Sequence, residues 1–245
     1  MSKKRLPSID LPDYIKQFLR PLFRLFFVKQ CPVCGGLLRN GEEVMCLKCE
    51  MGLPLTGFGA TPGNPAEQLF WGKLPIERAS SFFYYQKGND YTQLILHLKY
   101  RGRKDIGRTL GRMAGEQLLK EGFFDGIDLL VPVPLHPRRL HQRGYNQSCC
   151  IAEGIAKATG IPVETHCLRR IVNTQTQTHK QRVERWDTIQ KAFALGPKAA
   201  IDGKHLLLID DVLTTGATLT ACAEAILQAS TARISVFTLS MAHRR

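Results

Sequence analysis

The chain has 245 residues, 44% of them hydrophobic, with 34 Lys and Arg against 21 Asp and Glu, a formal charge of +13. That length accommodates one core-bearing domain of ordinary size plus a small appendage, and the hydrophobic content is normal for a soluble globular protein. The positive excess suits a polyanionic ligand, whether a diphosphate, a nucleic acid or an acidic partner, and does not choose among them. The opening MSKKRLPSIDLPDYIK is basic, but it continues into polar, proline-broken sequence, so no secretory leader is expected. The run at 22–28, LFRLFFV, carries Arg24 and falls well short of the roughly 20 apolar residues of a spanning helix. No membrane span and a cytoplasmic location are therefore expected, with residues 22–28 packing against the domain that follows or touching a membrane as an amphipathic stretch.

Residues 31–49 read CPVCGGLLRNGEEVMCLKC. Cys31 with Cys34, and Cys46 with Cys49, form two C-x-x-C knuckles, each able to present two thiolates to one ion from a tight turn. Four thiolates satisfy tetrahedral zinc and leave no place for water, so the site reads as structural. A redox-active pair and disulfides are the rival readings, and the reducing cytosol favours ligation over disulfides. Residues 52–75 are rich in Gly, Pro, Thr and Asn and read as a linker or irregular lobe.

A β-prone run follows at 79–85, then a helix ending near Tyr100. Lys99, Arg101, Arg103 and Lys104 cluster at that end, as a solvated face, as complements to the helix dipole, or as contacts for a diphosphate or nucleic acid. Residues 106–120 read as a second helix stopped at Gly122, and 127–133 as a buried strand ended by Pro134. The next stretch, LHPRRLHQRGYNQ, reads as a basic loop carrying Arg138, Arg139 and Arg143 before Gly144, at the carboxyl edge of a parallel sheet where open α/β folds place ligands. Residues 148–159 are expected to be helical, with Cys149 and Cys150 as core residues. The polar segment 169–193 reads as an exposed excursion, and His136, His141 and His179 lack metal-ligand spacing.

Residues 205–220, HLLLIDDVLTTGATLT, bring strand, loop and helix together. An apolar run too short for a helix ends in Asp210 and Asp211. A helix, patterned by Leu219, Cys222, Ala223 and Ile226, starts near Ala217. Free N–H groups at a helix start, a glycine that permits close approach and the macrodipole together favour phosphate, and Thr214, Thr215 and Thr218 add donors. No Lys follows the glycine, so this is not a nucleotide P-loop. The paired carboxylates can accept hydrogen bonds from a diol. A strand–turn–helix capped by Asp and Thr with no ligand is the plainer alternative. Residues 233–239 close the chain as a last strand.

The DDVLTTGAT stretch resembles the phosphoribosyl-diphosphate (PRPP) signature of type I phosphoribosyltransferases. With the four cysteines, LKYRGR, VPVPLHPRRLHQRGYNQS and QTQTHKQRVERW, the chain resembles the ComF/GntX family over most of its length. The resemblance implies an α/β fold, a central mostly parallel sheet flanked by helices, with a small N-terminal zinc ribbon. It implies a lead-in at 1–30, the four-cysteine zinc module at 31–55, a linker or lobe at 56–78 and a phosphoribosyltransferase-like domain at 79–245. Asp210 and Asp211 would face the ribose hydroxyls, and Thr214, Thr215, Gly216, Ala217 and Thr218 would surround the 5-phosphate. Arg143, Gly144 and Tyr145 match the pyrophosphate loop, Lys99 joins the PRPP contacts, and Gln177, Thr178 and Arg185 match the flexible loop that closes over the site. The family's Asn-Val pair after Arg185 is replaced by Thr188 and Ile189, ahead of Ala192-Phe193. The implied reaction displaces pyrophosphate from ribose C1 with a nitrogenous nucleophile, with Asp210, Asp211 and Arg143 serving the reaction and Mg²⁺ accompanying PRPP. The alternative is a non-catalytic accessory of DNA uptake that binds single-stranded DNA or senses nucleotides. On either reading a homodimer or a protein of the competence machinery is the expected protein partner.

Overall fold

A computed structural model describes residues 29–86, 88–171, 192–196 and 200–242. The expectations for residues 22–28 and for Gln177, Thr178, His179, Arg185, Thr188 and Ile189 lie outside these described residues. Among the described residues, no helix is long and apolar enough to cross a membrane.

Four parallel strands form the central sheet: β1 (Ile76–Tyr85), β2 (Leu129–Pro132), β5 (His205–Leu213) and β6 (Arg233–Ala242), in the order β1-β6-β5-β2. A two-stranded antiparallel ribbon of β3 (Leu168–Arg170) and β4 (Phe193–Leu195) forms the base of the polar excursion. The helices are α1 (Leu47–Met51), α2 (Pro65–Gln68), α3 (Thr92–Tyr100), α4 (Lys104–Lys120), α5 (Pro137–Arg143), α6 (Gln147–Thr159) and α7 (Ala217–Leu227).

Strand alternation divides the apolar residues between two faces. Leu207 and Ile209 of β5, with Phe237 and Leu239 of β6, join a core with α3, α4 and α6. Leu206 and Leu208, with Ile234 and Val236, join a second core with α7, Phe58 and Phe70. A sheet covered on both faces is what lets β5 be almost wholly apolar up to its acids.

Several boundaries differ from expectation, each for a local reason. The expected basic loop contains α5, because Pro137 sits at N1, His136 accepts from the Arg138 amide through Nδ1, and Gly144 closes the helix at φ 74°. Within 56–78, expected as a linker or irregular lobe, the chain is tied to β1: Asn64 caps α2 and donates to the Ala79 carbonyl at 2.8 Å, and Glu67 accepts from the Gly63 amide at 2.6 Å. β5 does not stop at its carboxylates but pairs with β6 as far as Leu213.

Helices α4 and α6 pack almost backbone to backbone. Cβ atoms added at Gly107 or Gly115 would come within 2.9 Å of Cys150 or Ala158, and those at Gly111 and Gly154 would strike the main chains of Ile151 and Arg108. Gly111→Val is therefore expected to cost about 3 kcal/mol by overpacking, lowering the thermal midpoint by roughly 6–12 °C for a chain of this size. A melt followed by circular dichroism reads this directly, and an unchanged midpoint would refute the close packing.

Candidate active site

The site is built where β5 and β2 end. Asp210 and Asp211 lie in β5, and the chain then turns through exposed Thr214 and Thr215 to Gly216, the N-cap of α7. Gly216 has φ 77°, and an added Cβ would approach Phe70 to 3.1 Å, so both conformation and space call for glycine. Phe70 comes from the segment expected to be a linker or irregular lobe, and its ring lies beneath this turn. No side chain caps the helix at Gly216 in the usual manner; the Ala217 amide makes a long contact to Thr215 Oγ1 at 3.4 Å. The helix start remains a ready anion site.

The acids are held in different ways. Asp210 Oδ1 accepts from Ser148 Oγ at 3.1 Å and from the Asp211 amide at 2.9 Å. Burial first, then the neighbouring Asp211 charge, raises the Asp210 carboxyl above the usual carboxylate range. Asp211 pairs with Lys99 Nζ at 2.8 Å, a partly exposed ion pair at the end of α3.

Next to that pair lies a polar cleft of about 210 Å³ lined by Lys99, Tyr100, Gly102, Arg139, Gln142 and Arg143. Arg143 Nη1 donates to Gln147 Oε1 at 2.7 Å, and its guanidinium lies 5.3 Å from the Tyr100 ring centre. Burial, then the charge of Arg143, pulls the Arg139 guanidinium down, and burial, then Arg139, does the same to Arg170. These cations crowd one another on the side facing the carboxylates.

The structure thus brings together Lys99, Arg143, Asp210, Asp211 and the 214–218 turn. Tyr145 stands apart: it is buried, its hydroxyl donates to the Leu98 carbonyl, and Lys104 Nζ lies 5.1 Å from its ring centre, so it braces α3 against the corner before α6. Gly144 closes α5. Of the basic cluster, Arg103 is engaged with Asp105 at 2.8 Å. Arg139, expected in the basic loop at this edge, lines the cleft, whereas Ser148, which donates to Asp210, and Arg170, whose guanidinium feels the charges of Arg139 and Asp210, join the site without having been singled out for it.

The four cysteines form a second centre. Cys31, Cys34, Cys46 and Cys49 place their sulfurs within 4.8 Å of one another, with Cys34 and Cys46 3.7 Å apart. A tetrahedron of thiolates around zinc, with bonds of about 2.3 Å, has edges of about 3.8 Å, so the donor set fits one such ion. Burial raises the Cys31 thiol, but amide donors at Cys34, Cys46 and Val33 outweigh it and bring it to about 7. Burial, then the surrounding sulfurs, pushes Cys49 up. Four thiolates together thus call for a cation.

The parallel sheet, the acid pair before a phosphate-type turn and the appended four-cysteine module define a type I phosphoribosyltransferase-like protein. The chain belongs to the ComF/GntX family. It is 30% identical over 216 residues to the DNA utilization protein YhgH of Salmonella typhimurium, covering 85% of this chain and 88% of that one. It is 34% identical over 211 residues to competence protein ComFC of Bacillus subtilis, covering 85% and 76%, and 26% identical over 233 residues to competence protein F of Haemophilus influenzae, covering 89% and 99%. Among solved structures it is similar to the glutamine PRPP amidotransferase of B. subtilis complexed with ADP and GMP, at 19% identity and a TM-score of 0.39, covering 58% of this chain and 30% of that one. No family model matches the chain.

Proposed function

We propose that the chain binds PRPP with Mg²⁺ and transfers its phosphoribosyl group to, or from, a nitrogenous acceptor. The observation that carries this reading is the Asp210–Asp211 pair set between a free helix start and a cationic cleft. A ligand with a phosphate at one end, a diol in the middle and a diphosphate at the other has a complement in each part. The 214–218 turn takes the 5-phosphate, and Asp210 and Asp211 accept from the ribose hydroxyls. Arg143 and Arg139 take the diphosphate, whose charge would relieve their mutual repulsion, and Lys99 holds Asp211 in place.

In the transfer, the acceptor nitrogen forms a bond to C1 as the C1–O bond to the diphosphate breaks, and pyrophosphate leaves with the electron pair. The arginines stabilise charge gathering on the leaving group, and the carboxylates fix the ring for in-line approach. Mg²⁺ prefers carboxylate and phosphate oxygens, a donor set that the acids and the diphosphate supply jointly, and when bound it would neutralise charge on the leaving diphosphate. The cysteine cluster would hold structural zinc.

The names of the relatives support placing this chemistry in the handling of DNA during uptake. A second reading, a non-catalytic single-strand binder, is favoured by Tyr100: the residue is 68% exposed in the lining of the cleft, with Arg143 beside its ring, and an exposed aromatic next to a cation suits base stacking. Calorimetric titration of the purified protein with PRPP and Mg²⁺, then with a short single-stranded DNA, tests both. Mg²⁺-dependent PRPP binding is expected. Salt-sensitive DNA binding without any response to PRPP would overturn the first reading in favour of the second.

A further inference from the structure

The cysteine module bears an apolar groove of about 570 Å³ lined by Gly36, Leu37, Arg39, Glu42, Cys46, Leu47, Lys48 and Met51. Leu37, Leu47 and Met51 are 62%, 61% and 81% exposed. Three large apolar side chains left open so close together in sequence form a patch that calls for a cover.

Who covers it is suggested by where the chain enters. Gln30 pairs with Leu37 in an antiparallel bridge, and the Leu38 amide donates to the Lys29 carbonyl at 2.9 Å. Beside the groove-lining Leu37 therefore lies Lys29, the first of the described residues. The sequence just before it, PLFRLFFV at 21–28, sets Leu22, Phe23, Phe26 and Phe27 on one helical side with Arg24 opposite, and Pro21 suits a first helical position. Joined to the module with no linker, such a segment meets the groove at the high effective concentration of an intramolecular partner. The rim offers Arg39 and Lys48 against Glu42, a mixed charge with no cationic collar for an anionic membrane.

We propose that this groove seats the chain's own segment 21–28, with Phe23 and Phe26 packed over Leu37, Leu47 and Met51. Seated there, the segment also shields the Cys46 sulfur from solvent. The module would then be a unit of lead-in plus cysteines, with the apolar run serving as its missing wall.

Methyl NMR on full-length, metal-loaded protein carrying [¹³C-methyl]methionine tests this. The Met51 signal is assigned by its loss in Met51→Leu and challenged with a soluble paramagnetic probe. The expected result is a Met51 methyl markedly less broadened than that of added free methionine, with several-fold greater broadening in Phe23→Ser/Phe26→Ser. A wild-type Met51 as accessible as free methionine overturns the proposal whether or not the variant folds. Protection that disappears on wide dilution would assign the groove to a second copy, and protection that arises only with anionic phosphatidylglycerol vesicles would assign it to a membrane; either result overturns it too.

Discussion

Replacing Asp210 and Asp211 together by Asn is expected to abolish PRPP binding while leaving the fold intact. Each carboxylate would contribute charge-assisted hydrogen bonds to the ribose diol, and losing both should cost about 3 kcal/mol or more, at least about a 100-fold loss in affinity. Stability should not fall with it. Burial, followed by the charge of Asp211, raises the Asp210 carboxyl above its ordinary 3.8. A group raised in this way favours the fold below that value and works against it as pH rises through the higher folded one. At pH 7.5 a neutral amide therefore removes a penalty, although Lys99 loses its partner. Titration calorimetry and a thermal melt on the same preparation check both halves. PRPP affinity unchanged in the double variant would defeat the ribose assignment, and a collapsed melt would make the acids structural.

The second large effect is expected at Cys46. Cys46→Ser should release the metal and cost several kcal/mol of the roughly 5–15 kcal/mol such a domain holds. Cys46 is also the N-cap of α1, and its carbonyl accepts from the Glu50 amide at 2.9 Å. Cys31, Val44, Met45, Cys49 and Leu53 are buried in the same core as Phe83, Leu94 and Leu98. Losing the ion should therefore lower the midpoint of the whole protein rather than fray one end. Metal analysis beside a thermal melt checks this, and full metal content in the variant would sink the four-thiolate centre.

What could be read from the sequence was whatever lay close together along it. The acids, the glycine turn and the helix behind it span a few residues, and local chemistry shows there without a fold. The cysteine pairs are legible for the same reason. The full cationic wall is not, because Arg170 comes within electrostatic reach of Arg139 only after β2, α5 and β3 have been placed. Tyr145, adjacent in sequence to Gly144, reads as part of a ligand loop, yet packing sends its ring inward against α3. Composition leaves segment 56–78 open between a linker and an irregular lobe. Asn64 and Glu67, two polar residues buried for their hydrogen bonds to backbone, hold part of it in place, and Phe70 packs beneath Gly216, contacts that composition does not show.

Helix α3 reaches from one centre to the other. The Tyr91 hydroxyl at its start donates to the Cys49 carbonyl at 3.0 Å, and Lys99 near its end pairs with Asp211. Thr56 and Tyr84 tie the chain leaving the module to β1 by amide bonds of 3.0 and 2.8 Å. A shortened protein starting after the cysteines, made to isolate the transferase-like body, would strip the cover from Phe83 and Leu94 and free the anchored end of the helix that presents Lys99. Loss of ligand binding in such a fragment would report damaged scaffolding and say nothing about whether the cysteine module meets the ligand, so the module's role has to be dissected by single side chains within the intact chain.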